Sequence, residues 1–356
     1  MSKEPFNLWV FGDCHIGTDL RFGRESLFDV LSMSERGGDK GGPPFDWDIA
    51  IDIGDMSGGQ EVPVDHEGHE VVRQFGALRD HSRASIYNIC GNHDRSGLDE
   101  NPAWWWRKWV DPTGENTPHS GVDSSKRPYP VNGTWERYGI QVGNLHFLLM
   151  SDINEPSQRI GRGDLGGNPG GVVSGETFSW WKEQIEANRE NIILSAHHYM
   201  LKDTTVASGE WEGMLKDSEG YWTSGYHGYK ALGSPKGASY LYWVDGQPDA
   251  QAFEKYLSDN PGDVDLWFGG HTHTNPDDTC GGKSHVETRW GTTFINVAAV
   301  SRHHGTENIS MSRVLTFLPD SDKVVIRCYM HMDDYLPQGW YHAAERTVTL
   351  KKAFEW

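Results

Sequence analysis

Short apolar runs that end in glycine or polar residues recur along the chain. The stretches NLWVFGDCH, WDIAIDIGDMSGG and RASIYNICGNHD follow this pattern within the first hundred residues. LHFLLMSDIN, NIILSAHHYM and VDLWFGGHTH repeat it later, followed by GTTFINVAAVSRHHG, SRVLTFLP and KVVIRCYMH. Near-continuous apolar runs bounded by turns are typical of strands that are buried on both faces. The pattern therefore predicts a sheet core with polar groups at the strand ends.

Between these runs lie segments with helical periodicity. VDHEGHEVVRQFGALRD has apolar residues three and four positions apart, and DAQAFEKYLSDNPGD ends in a helix stop. SGETFSWWKEQIEANRE places Phe178, Trp181 and Ile185 on one face, with Ser174 as a predicted N-cap. Strands that alternate with helices predict an α/β layered fold, and we expect one domain over residues 1–356.

Two stretches interrupt the alternation and are rich in aromatic residues. Residues 101–132 contain WWWRKW followed by many Pro, Ser and Gly, and residues 202–249 combine aromatic residues with frequent Gly. Long irregular segments in compact domains are often functional lids. We interpret both as loop insertions that could cap a site. The tryptophan run could stack a base or sugar ring, or pack a loop against the domain.

The amino-acid composition makes some binding partners and cellular locations less favourable than others. A net charge of −19 over 356 residues disfavours binding to long nucleic acids, which requires a basic surface. There is no apolar run of membrane-spanning length, and the N-terminus lacks the features of a signal peptide. The cysteines are scattered without metal-binding spacing, so we expect reduced thiols and a cytoplasmic location. They are Cys14, Cys90, Cys280 and Cys328.

The polar residues that follow the apolar runs share one chemistry. In an α/β sheet, ligands bind at the carboxyl ends of the strands. The residues at these ends are Asp13, His15, Asp55, Asn92, His93, Asp94, His197, His198, His271 and His273. Such side chains suit Zn, Mn, Fe, Co or Ni, and there are enough of them for two ions that share a carboxylate. Two neighbouring metals can activate water and clamp a phosphoryl group.

The order of these motifs closely resembles that of the calcineurin-like metallophosphoesterase superfamily. The resemblance extends over roughly residues 7–318, from Asp-x-His through Gly-Asp and Gly-Asn-His-Asp to Gly-His-x-His. It implies a four-layer α/β/β/α sandwich with two divalent or mixed-valence transition-metal ions at the strand ends. It also implies a phosphoester hydrolase whose nucleophile is a hydroxide that bridges the metals.

The resemblance also implies roles for individual residues. One metal would be held by Asp13, His15 and His273, the second by Asn92, His197 and His271, and both by Asp55 as a bridge. His93 would act as general acid or charge stabiliser, and Asp94 would orient His93.

Several neighbouring residues have less certain roles in this scheme. Relatives with a doubled histidine generally use the first, so His198 becomes a residue that supports the site or contacts substrate. Arg95 and His303 are candidate phosphate contacts, although a surface or hydrogen-bonded group is the more ordinary interpretation of each residue alone. Asp52, inside an apolar run, is expected to be a buried structural carboxylate, and Cys14 a core thiol.

The substrate class follows from the aspartate after Asn-His. Asn-His-Asp is common among phosphodiesterases of the superfamily, whereas Asn-His-Glu is typical of its purple acid and protein phosphatases. With the acidic composition, this favours a small organic phosphodiester. A phosphomonoesterase with the same metals remains an alternative, as does a catalytically silent scaffold protein on this fold. The sequence is also compatible with a homo-oligomer.

Overall fold

The computed structural model describes most of the chain, namely residues 4–58, 62–94, 96, 101–153, 170–209, 214–216, 221–224, 230–232, 240–241, 243–244, 251–302 and 309–356. The helices there are α1 Ile16–Arg21, α2 Ser26–Arg36, α3 Asp65–Phe75, α4 Trp104–Trp109, α5 Thr117–Ser120, α6 Gly175–Ala187 and α7 Ala252–Asp259.

The strands begin with β1 Phe6–Phe11, β2 Ile49–Asp52, β3 Ile86–Asn88, β4 Asn132–Gly133, β5 Arg137–Val142, β6 Leu145–Met150, β7 Val172–Val173, β8 Ile192–Ala196, β9 Met214–Lys216 and β10 Tyr221–Ser224. They continue with β11 Lys230–Leu232, β12 Trp243–Val244, β13 Leu266–Gly269, β14 Val286–Arg289, β15 Thr292–Asn296, β16 Met311–Phe317, β17 Lys323–Met330, β18 Gly339–Trp340 and β19 Arg346–Thr349.

Two mixed sheets form the body of the protein. The first sheet has the order β18-β17-β16-β1-β2-β3, with β19 also paired to β17. Its β1, β2 and β3 are parallel, while β16 pairs with β1 in the antiparallel sense. The second sheet has the order β14-β15-β13-β8-β6-β5-β4, with β6, β8, β13 and β15 parallel. Parallel strands have their carboxyl ends at the same edge of a sheet, and in α/β proteins ligands bind at this edge.

The apolar core lies between the two sheets. Leu8, Val10 and Ile51 of the first sheet share one buried cluster with Leu194 and Phe268 of the second. Each of these side chains is fully buried. Alternate residues of the same strands point away from this core, because successive side chains on a strand face opposite sides.

The outward faces of both sheets are covered by helices. Trp9 and Ala50 of the first sheet pack in a cluster with residues of α2, α3 and α4. Ile193 and Trp267 of the second sheet pack with residues of α6 and α7. The layers are therefore helix, sheet, sheet and helix, which confirms the predicted four-layer α/β/β/α sandwich.

The helix that contains Phe178, Trp181 and Ile185 forms as predicted. Ser174 caps α6, since its Oγ accepts a hydrogen bond of 3.0 Å from the backbone N–H of Thr177. All three predicted apolar residues are buried. The N-cap and the buried apolar face therefore both favour a helix at these residues.

The first aromatic-rich insertion is more regular than predicted. WWWRKW is helix α4, not a loop, and Trp105, Trp106 and Trp109 are buried in the cluster on the helical side of the first sheet. Because these three indoles are enclosed by protein, they pack the insertion against the sandwich, whereas Trp104, the first residue of the run, is only partly buried. Much of residues 202–249 lies outside the described residues.

A membrane-spanning helix would need a long apolar segment. None of the helices in the described ranges combines the necessary length and hydropathy.

Candidate metal centre

The predicted ligands lie at the carboxyl ends of parallel strands from both sheets. In the first sheet, Asp13 and His15 follow β1, Asp55 follows β2, and Asn92 follows β3. In the second sheet, the residues are His197 and His198 after β8, and His271 and His273 after β13. The sandwich brings these two edges together, so the candidate centre is a junction between the sheets.

The backbone at this junction is strained. Asp13, His15, Asp55 and His271 all have positive φ, at 56°, 45°, 56° and 64°. Residues other than glycine rarely adopt this left-handed region, and each instance costs about 1 to 3 kcal/mol. Such outliers cluster at functional sites. Here the conformation turns the side chains out of the strand direction and towards one another.

Backbone hydrogen bonds hold the two loops of the first sheet in this conformation. The N–H of Asp13 donates to the carbonyl of Gly54 at 2.8 Å, and that of His15 to Asp55 at 3.0 Å. Gly54 itself has a φ of 104°, which favours glycine. The loops after β1 and β2 are therefore paired side by side, and this fixes Asp13 next to Asp55.

Asp13, His15 and His273 form the first group of ligand atoms. Nε2 of His273 lies 3.0 Å from Oδ1 of Asp13 and 3.1 Å from Nε2 of His15. Nε2 of His15 lies 3.7 Å from the same Asp13 oxygen. Ligands about 2.1 Å from a shared ion lie roughly 3.0 to 3.4 Å apart, a range that contains the two distances from His273 but not the longer distance between His15 and Asp13. A metal ion would also satisfy two imidazole nitrogens that face each other.

Asp55 links this group to a second one. Its Oδ2 lies 3.8 Å from Nε2 of His15 and 3.1 Å from Nε2 of His198. Burial alone would raise the pKa of Asp55, but the charge of His198 and the other histidines holds that pKa well below its usual value. A carboxylate that stays ionised between two sets of imidazoles is suited to bridge two cations.

The second group consists of Asp55, His198 and His271, with Asn92 beside them. These three residues place one ligand atom each within 4.8 Å of one another. Nε2 of His198 also lies 3.1 Å from Oδ1 of Asn92. Nδ1 of His198 donates to the carbonyl of Ile53 at 2.9 Å. Such a backbone bond fixes the tautomer, and it leaves Nε2 available to a metal.

His197, the histidine expected to bind the second metal, points elsewhere. Its Nδ1 accepts a hydrogen bond of 3.0 Å from the backbone N–H of Tyr199, and its Nε2 lies 3.7 Å from Oδ2 of Asp152. The structure therefore does not bring His197 into the cluster of ligand atoms, whereas it does bring His198 there, and the identity of the histidine that binds the second metal stays a prediction.

The alternation of β8 explains this difference. Ile192, Leu194 and Ala196 face the core between the sheets, whereas Ile193 faces the helices. His198 continues the first series, because side chains repeat every two residues along a strand. It therefore emerges between the sheets, where the ligands from β1, β2 and β13 converge.

His93 lies at the edge of both groups. Its Nε2 is 4.0 Å from Oδ2 of Asp55, and its backbone N–H donates to Oδ1 of Asp55 at 2.7 Å. The ring meets that of His15 edge to face, with centroids 4.8 Å apart. Its side chain is only slightly exposed, so it borders the centre without being excluded from it.

Asp94 has a structural partner set that the sequence did not suggest. Its two oxygens accept hydrogen bonds from the backbone N–H groups of Asp55 at 3.0 Å, Ser57 at 2.8 Å and Gly91 at 2.9 Å. These bonds hold the turn that presents Asp55. These contacts place Asp94 beneath the turn that carries Asp55, while its expected role of orienting His93 stays a prediction.

Two residues near the centre were not singled out from the sequence. Asp152 follows β6, and its Oδ2 accepts backbone hydrogen bonds from Gly171 and Val172 at 2.6 and 3.2 Å. The ring of Tyr199 lies against that of His271, tilted by 31°, with ring centroids 3.9 Å apart. The SerAsp that ends LHFLLMSD was a usable signal for Asp152. Tyr199 carried no comparable signal.

Of the three residues predicted to contact phosphate, only His198 lies within the described residues. Arg95 and His303 lie outside the described residues. His198, the third such candidate, lies inside the cluster of ligand atoms. Asp52 is fully buried and accepts hydrogen bonds from Asn88 and Gly54, as expected of a structural carboxylate, and Cys14 is a buried thiol.

The chain was compared with known families and structures. The family model of calcineurin-like phosphoesterases matches residues 6–275. Among solved structures, a predicted phosphoesterase from Streptococcus pneumoniae is 11% identical, with a TM-score of 0.33 and coverage of 98% of this chain and 99% of that chain. Vps29 from Chaetomium thermophilum is 8% identical, with a TM-score of 0.33 and coverage of 98% and 97%. No curated protein sequence matches the chain significantly.

Proposed function

Because the chain belongs to the calcineurin-like phosphoesterase family, we propose that it is a metal-dependent hydrolase of small organic phosphodiesters. The observation that carries this proposal is the position of Oδ2 of Asp55. This oxygen lies within 3.8 Å of a histidine from each of two ligand groups, His15 and His198. That is the arrangement a dinuclear centre requires.

The residues divide naturally between two metal ions. Asp13, His15 and His273 would hold one ion, while Asn92, His198 and His271 would hold the other, with Asp55 shared. The donor set of imidazole, carboxylate and amide oxygen suits Mn, Zn or Fe. When bound, such ions supply Lewis-acid stabilisation of a phosphoryl group and a hydroxide near neutral pH.

His93 is the proposed proton donor or charge stabiliser for the leaving-group oxygen. It borders the centre, and its backbone is tied to the same carboxylate that would bridge the metals. A group in this position can act on a bound phosphoester without itself being a metal ligand. Asp94 supports it indirectly, because its carboxylate accepts hydrogen bonds from both Gly91, in the turn after β3, and Asp55, in the turn after β2.

The preference for a diester rests on the sequence. Aspartate follows Asn92 and His93, and the net charge of −19 is unfavourable for long nucleic acids. We also retain a cytoplasmic location as a proposal. The four cysteines, all within the described residues, form no disulfide with one another. This is compatible with a reducing compartment.

A substrate panel tests the proposal. Protein that has been chelated and reloaded with Mn²⁺ should hydrolyse bis-p-nitrophenyl phosphate faster than p-nitrophenyl phosphate. The reverse preference would favour the phosphomonoesterase alternative. Absence of turnover of both compounds with Mn²⁺, Zn²⁺ and Fe²⁺ would contradict the enzyme proposal and favour a silent scaffold protein. His93→Ala should lower turnover while metal content stays unchanged.

A further inference from the structure

A cavity outside the candidate metal centre is lined by residues that follow the loop carrying His271 and His273. Its volume is about 140 Å³, enough for a few water molecules or one small oxyanion. Its lining begins at Pro276, three residues after His273, and includes Ser284, His285 and Arg313. None of these lining residues belongs to the proposed metal centre.

Arg313 is the unusual member of this lining. It lies on β16, is fully buried, and donates from Nε to the carbonyl of Asn296 at 3.4 Å. Among the described residues, no oxygen or nitrogen acceptor lies within hydrogen-bond distance of its two terminal nitrogens. The side-chain neighbour that it meets is the thiol of Cys328, paired with it across β16 and β17, and a thiol is only a weak, uncharged acceptor. A guanidinium cannot lose its charge in a protein, and a buried charge without a partner is costly. The cavity is where an acceptor for these nitrogens can be accommodated.

Within the described ranges, no carboxylate forms an ion pair with the guanidinium of Arg313. Asp277 also lines the cavity, but its two oxygens accept hydrogen bonds from the hydroxyls of Tyr335 and Tyr341. Asp278 accepts from the backbone N–H of Asn275 at 2.7 Å. Arg346, which is exposed, adds a second cation to the lining. Two arginines therefore contribute to the lining of a cavity whose carboxylates already have donors, although Nη1 of Arg346 itself donates to the carbonyls of Ala343 and Glu345.

From this geometry we propose that the cavity binds a small oxyanion, a phosphate or a carboxylate, through Arg313 and Arg346. Paired guanidinium groups are the donors that proteins use for such anions, because their N–H groups match two oxygens at once. The anion would satisfy the two terminal nitrogens of Arg313. It would thus remove the unfavourable burial of that charge.

The cavity is connected to the metal-ligand loop by two hydrogen-bonded routes. Arg313 contacts the carbonyl of Asn296, whose Nδ2 donates to Oγ1 of Thr272 at 3.0 Å. His285 lines the cavity, and its Nε2 lies 2.8 Å from Oγ1 of Thr274. Thr272 and Thr274 flank His273. An anion bound at Arg313 would therefore be linked by hydrogen bonds to the residues on either side of His273.

The test must separate this cavity from phosphate bound at metals. In full-length Asp55→Ala protein with chelator present, the proposed metal centre is disabled, and calorimetry with inorganic phosphate and with acetate reports the cavity alone. We expect one saturable oxyanion site per chain. Preference for phosphate or for acetate identifies the class of anion. Absence of saturable binding of both would show that the cavity holds only water, and would overturn the proposal.

Three further substitutions in this background locate the site. Arg313→Met should weaken binding at least tenfold and Arg346→Ala several-fold, while Lys323→Ala should leave it unchanged. Lys323 is an exposed control on β17 that removes the same charge away from the cavity. Unchanged affinity in Arg313→Met would refute the site. If circular dichroism shows that Arg313→Met does not fold, equal affinities of Arg346→Ala and Lys323→Ala would refute it instead.

Discussion

At the scale of single residues, the proposed ligands are held by the backbone before any metal arrives. Four of them occupy the left-handed region, and Asp13 and His15 are paired to the neighbouring loop by hydrogen bonds of 2.8 and 3.0 Å. Pre-positioned ligands lose little conformational freedom when an ion binds. The strain is offset by the packing of two sheets around the site.

His198 and His197 give the sharpest test of an individual ligand. His198→Ala should lower the turnover of metal-loaded protein by more than roughly 100-fold and remove about one metal ion per chain, since its Nε2 faces Asp55 and Asn92. His197→Ala, the matched control, should change turnover by at most about 10-fold with both ions retained. Turnover assays combined with elemental analysis measure both effects. The opposite ranking would restore the sequence-based choice of His197.

Asp52 gives a prediction for the dependence of stability on pH. Burial raises its pKa from 3.8 to about 8, although hydrogen bonds from Asn88 and Gly54 partly oppose this. Between these two values the folded chain keeps a proton that the unfolded chain has released. The free energy of unfolding therefore falls as pH rises from about 4 to 8, with a slope of at most about 1.4 kcal/mol per pH unit.

Asp52→Asn removes this titration while it keeps the shape of the side chain. The variant should gain stability relative to the wild type as pH rises through this window, and the gain should level off above pH 8. Urea unfolding of chelated protein at pH 5, 7 and 9 measures it. Asp39→Asn, an exposed control, removes the same charge. A gain that does not grow with pH would show that Asp52 is ionised in the folded chain.

At the scale of elements, the turns that follow the strands determine the site. A Cβ on Gly91 would lie 2.3 Å from Oδ1 and 2.4 Å from the backbone N of Asp55, closer than atoms can approach. The turn after β3 can therefore pack against the turn after β2 only because residue 91 is a glycine and has no side chain. The close packing of these two turns therefore also determines the position of the Asp55 carboxylate.

Gly91→Ala should displace Asp55 and weaken metal binding by about 10-fold or more, at a cost in stability of about 1 to 3 kcal/mol. Gly139→Ala is the matched control, because its Cβ would meet no atom closer than 3.4 Å. Metal titration and urea unfolding of both variants measure the effects. Equal metal affinities would mean that Asp55 tolerates the crowding, and that the turn does not set its position.

Elements with a local signal could be predicted from the sequence, and those set by tertiary context could not. The strand ends, the capped helix α6 and the four layers follow from apolar runs, Ser174 and the order of motifs. The choice between His197 and His198 depends on which face of β8 meets the other sheet, and the residue pattern alone does not state this. α4 was missed because Pro, Ser and Gly around WWWRKW suggested a loop, while burial of its indoles favours a helix.

At the scale of the whole molecule, the candidate centre joins the two sheets. The first ligand group takes Asp13 from the first sheet and His273 from the second, and the second group combines Asp55 with His198 and His271. The ligands are assembled only when both sheets are folded and packed. In a chain with a net charge of −19, bound cations also reduce repulsion among buried carboxylates.

Metal binding should therefore stabilise the folded protein. At a free Mn²⁺ concentration 100 times the dissociation constant, each site adds about 2.7 kcal/mol to the free energy of unfolding. The melting temperature should rise with Mn²⁺ in the wild type and rise less in Asp55→Ala, which lacks the shared ligand. Differential scanning calorimetry over a range of Mn²⁺ concentrations measures this. Equal rises in the two proteins would indicate that Mn²⁺ binds outside the cluster.

The most direct test of a dinuclear centre bridged by Asp55 is a stoichiometric titration of activity. Chelated protein is supplied with increasing equivalents of Mn²⁺, and both bound metal and hydrolysis of bis-p-nitrophenyl phosphate are measured at each step. We predict two bound ions per chain and turnover that continues to rise until the second equivalent is bound. Full turnover with a single bound ion, or two bound ions in Asp55→Ala with wild-type turnover, would contradict it.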